Sequence, residues 1–131
     1  MRTLRRIAVS LAATEVFVDV LGFIVLAAGM EANSQRGLLT GILAITLLGS
    51  AVVLLYGYTL NPGVAGAPGH EWHIRAIVYG ATIAALMEIL SLVLLWAGLD
   101  VDRDTVRTVL WVTMGIAFVG DGISSYYTIR Y

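Results

Sequence analysis

Four apolar blocks, each near or above the ~20 residues that cross a lipid bilayer, occupy most of this 131-residue chain. They run over about 7–30, 37–58, 74–97 and 105–127. A soluble helical bundle would show polar faces recurring with the period of an α-helix, and these blocks show almost none. Only 13% of the residues are charged, against about 25% in ordinary soluble domains. The length of the blocks and their lack of strict alternation favour helices over barrel strands. The sequence therefore predicts an all-α integral membrane four-helix bundle, one transmembrane domain over residues 1–131.

The connections predict the order of packing. Residues 31–36 and 99–104 read as tight turns, which makes two antiparallel transmembrane hairpins. Residues 61–69 hold both prolines and several glycines and read as a flexible link. Asp102 or Asp104 is placed to cap the fourth helix. The first six residues followed by an apolar run imitate a signal peptide. Glu15 and Asp19 interrupt that run, so an uncleaved first span is expected.

Every one of the eight basic residues is an arginine. Arg2, Arg5, Arg6, Arg75 and Arg130 fall on one side of the four spans, and Arg36, Arg103 and Arg107 on the other. The positive-inside rule then predicts a multi-pass protein of the cell membrane with both termini cytoplasmic. Tyr56, Tyr58, Trp72, Tyr126, Tyr127 and Tyr131 would form the cytoplasmic aromatic belt, with Trp96 and Trp111 towards the other interface.

Composition removes several functions. A net charge of −1 gives no reason to expect nucleic acid. With no cysteine there are no disulfides, thiolate metal sites or redox thiols. With no lysine, Schiff-base chemistry has no amine. No cofactor is predicted, and nothing resembles a Ser/His/Asp arrangement. His70 and His73, spaced i, i+3 with Glu71 and Trp72 between them, are weak metal-ligand candidates. Their place at a loop-to-helix junction favours an interfacial anchor instead.

Four acids lie inside the apolar blocks: Glu15, Asp19, Glu88 and Asp121. The only arginines in those blocks, Arg75 and Arg107, sit at block edges. A charged group in the hydrocarbon region costs roughly 2.5–3.5 kcal/mol on insertion scales, so such residues mark ion paths, ligand sites or buried polar contacts. At the rise of an α-helix, Glu15 lies about 12 Å and Asp19 about 18 Å into the first span; Glu88 lies about 20 Å into the third. Asp121 lies about 9 Å from the far end of the fourth. Two layers are expected, with Glu15 and Asp121 nearer the cytoplasm and Asp19 and Glu88 near the midplane. Asp19 and Glu88 should approach each other in the interior. Ala76, Gly80, Ala84 and Glu88 form one i+4 row, and Ala117, Asp121 and Ser125 another; small residues in such rows permit close helix approach. Thr46, Gly49 and Ser50 lie at comparable depth in the second span, with Thr46, Ser50 and Ser125 as supporting hydroxyls.

An offset of 69 residues aligns residues 26–31 with 95–100 and Asp19 with Glu88, a weak sign of a two-plus-two repeat. Buried carboxyls without cations can exchange protons or bind a cation through oxygen. The leading expectation is therefore cation- or proton-coupled transport or ion conduction, with the four acids as the binding groups and a homodimer enclosing more volume than one copy. The alternative is a non-catalytic subunit of a larger membrane assembly, its acids acting as interhelical polar contacts to partner subunits. An intramembrane enzyme acting on a lipid or isoprenoid ranks last, since no motif supports it.

Overall fold

A computed structural model describes residues 2–28, 33–64, 70–98 and 103–130. The described residues form four helices: α1 (Arg2–Ala28), α2 (Asn33–Val64), α3 (His70–Val93, continued by a π-helical turn Leu94–Gly98) and α4 (Arg103–Arg130). Each is long and apolar enough to cross a membrane. Asp104 lies in the first turn of α4 and Arg130 in its last, both matched to the helix dipole. Asp102 lies outside the described residues.

Two expectations change. The link with both prolines is shorter than its composition implied, because α2 continues through Asn61, Pro62, Gly63 and Val64. A proline removes one bond to the carbonyl four residues back; in the last turn that loss does not propagate. Tyr56 does not join an aromatic belt, being 3% exposed, whereas Trp72, Tyr58 and Tyr126 are exposed.

Each helix packs on its neighbours in sequence, and α1 closes the ring against α4. Contacts near the helix ends fix their pairing. Arg107 near the start of α4 donates to the carbonyls of Leu26 and Ala27 at the end of α1, both at 3.5 Å. Trp96 in the π-helical turn donates to Thr40 Oγ1 at 2.7 Å and lies beneath the Arg36 guanidinium. At the other end, Trp72 near the start of α3 donates to the Tyr127 hydroxyl near the end of α4 at 3.3 Å.

Large apolar side chains are abundant on the outside, and a set of polar ones lies inside beside the apolar core. Large apolar side chains such as Phe17, Ile24, Leu48, Leu86 and Val119 face outward. Glu15, Asp19, Thr46, Ser50, Glu88, Ser91, Thr113, Asp121, Ser124, Ser125 and Thr128 are buried. An outer surface this apolar suits a hydrocarbon surrounding. In that setting the helices are held by close packing and by interhelical hydrogen bonds.

Between α3 and α4 the two backbones meet directly. A Cβ built on Gly80 would lie 2.8 Å from the Gly120 carbonyl oxygen, and one on Gly120 would lie 2.7 Å from the Gly80 oxygen. Only glycine fits at this crossing, which holds the neighbouring Asp121 against α3. Gly115 and Gly122 meet nothing within 4 Å, so only part of the glycine-rich run in α4 serves packing.

Candidate functional site: a four-carboxyl centre around Ser50

The helical period places Glu15 and Asp19 one turn apart on the inward stripe of α1. It does the same for Glu88 on α3 and for Asp121 and Ser125 on α4. All are buried: Glu15 and Glu88 are 1% exposed, Asp19 9% and Asp121 0%. The fourth helix of the ring, α2, brings no acid. It contributes Ser50, also fully buried.

The Ser50 hydroxyl is the hub. Its oxygen lies 2.8 Å from Asp121 Oδ1, 3.2 and 3.3 Å from the two Glu88 oxygens, and 3.4 Å from Glu15 Oε2. Ser125 donates to the other Glu15 oxygen, Oε1, at 3.1 Å. Asp19 completes the group: one oxygen each from Asp19, Glu88 and Asp121 lie within 4.8 Å of one another. The two expected layers therefore merge into one centre. Long carboxyl side chains bridge the offset in depth between their backbones, because Glu and Asp heads need not lie level with their own Cα atoms.

The backbone of α2 makes room for this. A Cβ on Gly49 would lie 2.5 Å from Glu15 Oε2 and 3.3 Å from Glu15 Cβ. Glycine beside Ser50 lets Glu15 reach over α2 towards the hydroxyl.

Thr46 takes no part as a partner of the acids. It is fully buried, but its hydroxyl donates to the Leu43 carbonyl of its own helix at 3.0 Å. A threonine hydroxyl within a helix has the carbonyl three or four residues back always in reach. His73 packs on the Tyr127 ring at 5.4 Å between centroids; the His70 side chain lies outside the described residues. A second polar contact that sequence reasoning missed joins Ser91 and Thr113 at 2.7 Å.

The layers flanking the centre differ in bulk. Seven residues from Asp19, Ser50, Glu88 and Asp121 in one direction stand Leu26, Leu43, Leu95 and Met114, all in one buried apolar cluster. Seven residues the other way stand Ala12, Gly57, Ala81 and Thr128, all buried as well. Four large side chains close the interior on one side, and four small ones flank it on the side of the chain termini. In that small layer the Thr128 hydroxyl is buried with no hydrogen-bond partner.

Chemically, the centre is a concentration of acceptors with few donors. Such a set can hold protons or a cation through oxygen, and it includes neither thiolate nor imidazole. No protein-family profile matches the chain, and neither the curated proteins nor the solved structures contain a match to it.

Proposed function

We propose that this chain lies across a membrane as two antiparallel hairpins with both termini cytoplasmic, and that its carboxyl centre binds a small cation or proton and moves it across the bilayer. One observation carries the reading: acids from three helices converge on a single buried hydroxyl of the fourth. The Ser91–Thr113 contact joins two hydroxyls across one helix interface, as interhelical polar contacts commonly do. Here the acids outnumber the donors, and intramembrane acids without cationic partners are characteristic of ion and proton paths. The small layer around Thr128 supplies the side from which the centre is approached.

The test is a flux measurement in proteoliposomes, with and without a pH gradient, on the wild type and on Glu15→Gln, Asp19→Asn, Glu88→Gln and Asp121→Asn. Each substitution keeps the shape and removes the ionisable group. Under this reading the variants fold but lose cation- or pH-driven flux. Unchanged flux in all four, at unchanged thermal stability, rejects it.

A second reading, a subunit of a larger membrane assembly, is favoured by a groove of about 560 Å³ on the outer face of α3 and α4, lined by Tyr79, Ile83, Trp111, Gly115, Ile116 and Val119 among others. A helix of a partner subunit fits such a face. Oligomeric state in mild detergent separates the two: a discrete homodimer supports transport, and a chain that is unstable without partners supports the subunit.

A further inference from the structure

Donors and acceptors in the centre do not balance. Each acid brings two oxygens, while Ser50 and Ser125 bring one hydroxyl proton each. Ser125 directs its proton to Glu15. Ser50 has oxygens of Glu15, Glu88 and Asp121 within 3.4 Å and one proton to give. Asp19 Oδ2 and Asp121 Oδ2 are buried and receive no hydroxyl or N–H donor, on side chains that are 9% and 0% exposed. Buried oxygens without donors are rare, and a proton shared between carboxyls or a bound ion accounts for them.

The occupant's character follows from the ligand set. Oxygens of Asp19, Glu88 and Asp121 lie within 4.8 Å of one another. A hard cation of calcium size sits 2.3–2.6 Å from its oxygen ligands, so ligands on opposite sides of it are at most roughly 4.6–5.2 Å apart. Three oxygens at that limit lie about 2.8 Å from their common centre, a few tenths of an ångström beyond the calcium–oxygen distance, a gap that small rotations of the carboxyl side chains close. With neither nitrogen nor sulfur among the donors, the set suits calcium or manganese over zinc or copper. Charge selects the valence: three carboxylates around a monovalent ion would leave two negative charges buried, whereas a divalent ion leaves one. Glu15 stands apart, since it is not among the three acids whose oxygens lie within 4.8 Å of one another and Ser125 already donates to its Oε1.

The geometry points to a binding site for one hard divalent cation of calcium size, formed by Asp19, Glu88 and Asp121 from α1, α3 and α4, with Ser50 at its edge and Glu15 outside the ligand set. The inference rests on the reading of the centre as an ion site and names the class of ion. It also divides the four acids into three ligands and one neighbour.

The experiment uses the full chain in detergent after chelator treatment. Calcium binding is measured by titration calorimetry, and manganese binding by loss of the aqueous Mn²⁺ resonance signal. One ion per chain is expected, with calcium and manganese competing. Asp19→Asn, Glu88→Gln and Asp121→Asn should each weaken binding more than roughly 100-fold, and Ser50→Ala by about 10-fold, as supporting groups around metals do. Glu15→Gln should retain binding within about 10-fold. Because a variant can fail to fold, circular dichroism is recorded on each, and the wild-type manganese signal needs no variant. No saturable binding of calcium or manganese to the wild type overturns the inference. So does binding that survives in folded Asp121→Asn, or binding that depends on Glu15 as strongly as on Asp121. If divalent binding fails while sodium- or pH-driven flux persists, this inference falls and the transport reading stands. If divalent binding holds while flux is absent, the reverse is true.

Discussion

Ser50 and Asp121, 71 residues apart in the chain, are joined by the shortest hydrogen bond in the carboxyl centre, 2.8 Å from hydroxyl to Oδ1. The bond ties α2 to α4, which otherwise make few contacts across the ring. Ser50→Ala removes the donor and leaves Asp121 and Glu88 without one. A loss of about 1–2 kcal/mol is expected, read as a lower unfolding temperature in detergent. An unchanged temperature would mean that the hydroxyl is incidental.

Gly49→Ala should be worse than its size suggests. The added methyl would lie 2.5 Å from Glu15 Oε2, so Glu15 must turn away and lose Ser50. Overpacking of this kind costs about 1–3 kcal/mol. Gly41→Ala is the matched control on the same helix: nothing lies within 4 Å of its Cβ, and the higher helix propensity of alanine should stabilise slightly. Equal effects of the two substitutions on thermal stability would contradict the packing described for Glu15.

The crossing of α3 and α4 makes a similar contrast. Gly80→Ala and Gly120→Ala each push a methyl against the opposite backbone carbonyl, which cannot rotate away as a side chain can. Both should lower stability by about 1–3 kcal/mol and reduce flux, because Asp121 moves with the crossing. Gly122→Ala, which meets open space and lies outside the α3/α4 groove, should do neither. The measurement is thermal unfolding and proteoliposome flux on the same preparations.

Thr128→Val separates stability from access. The Thr128 hydroxyl is fully buried without a partner, and valine has nearly the same shape. Removing an unsatisfied buried hydroxyl should raise stability, by about 1 kcal/mol. If ions reach the centre through the small layer, the same substitution should slow flux. Faster unfolding together with unchanged flux would assign Thr128 a purely structural role.

Reporter fusions at the two termini should both read out on the cytoplasmic side. The motivation is the arginine asymmetry and the contact of Trp72 with Tyr127. Opposite sides for the two ends would refute the two-hairpin arrangement.

The helical architecture was legible because apolar block length is a strong signal that needs no tertiary information. The inward direction of Glu88 was also legible, since Gly80 and Ala84 on the same i+4 row mark a helix interface. Convergence of all four acids was not. Depth along a helix axis places a Cα, whereas Glu15 and Glu88 reach Ser50 through the length of their side chains. Thr46 and Ser50 looked equivalent in sequence, and only the bond of Thr46 to Leu43 distinguishes them. The helical end of α2 was hidden by Pro62 and Gly63, whose composition is that of a loop. The contrast between the leucine and alanine layers was visible in principle. Counting seven residues either way from each acid would have revealed it, once the acids were known to lie level.

The lack of an acid in α2 bears on how the chain enters a bilayer. Alone among the four segments, α2 can leave the translocon with no carboxyl to shelter, and its window is the most apolar of the four. The other three each carry a group that hydrocarbon penalises until a companion helix receives it. α2 is thus the natural anchor, against which α1 folds back and later segments gather. The helix that follows α3, α4, has the least apolar window of the four and carries Asp121, the acid that sits closest to Ser50. In a bilayer, docking of α4 on the preceding helices would bring Asp121 to Ser50 and so assemble the centre.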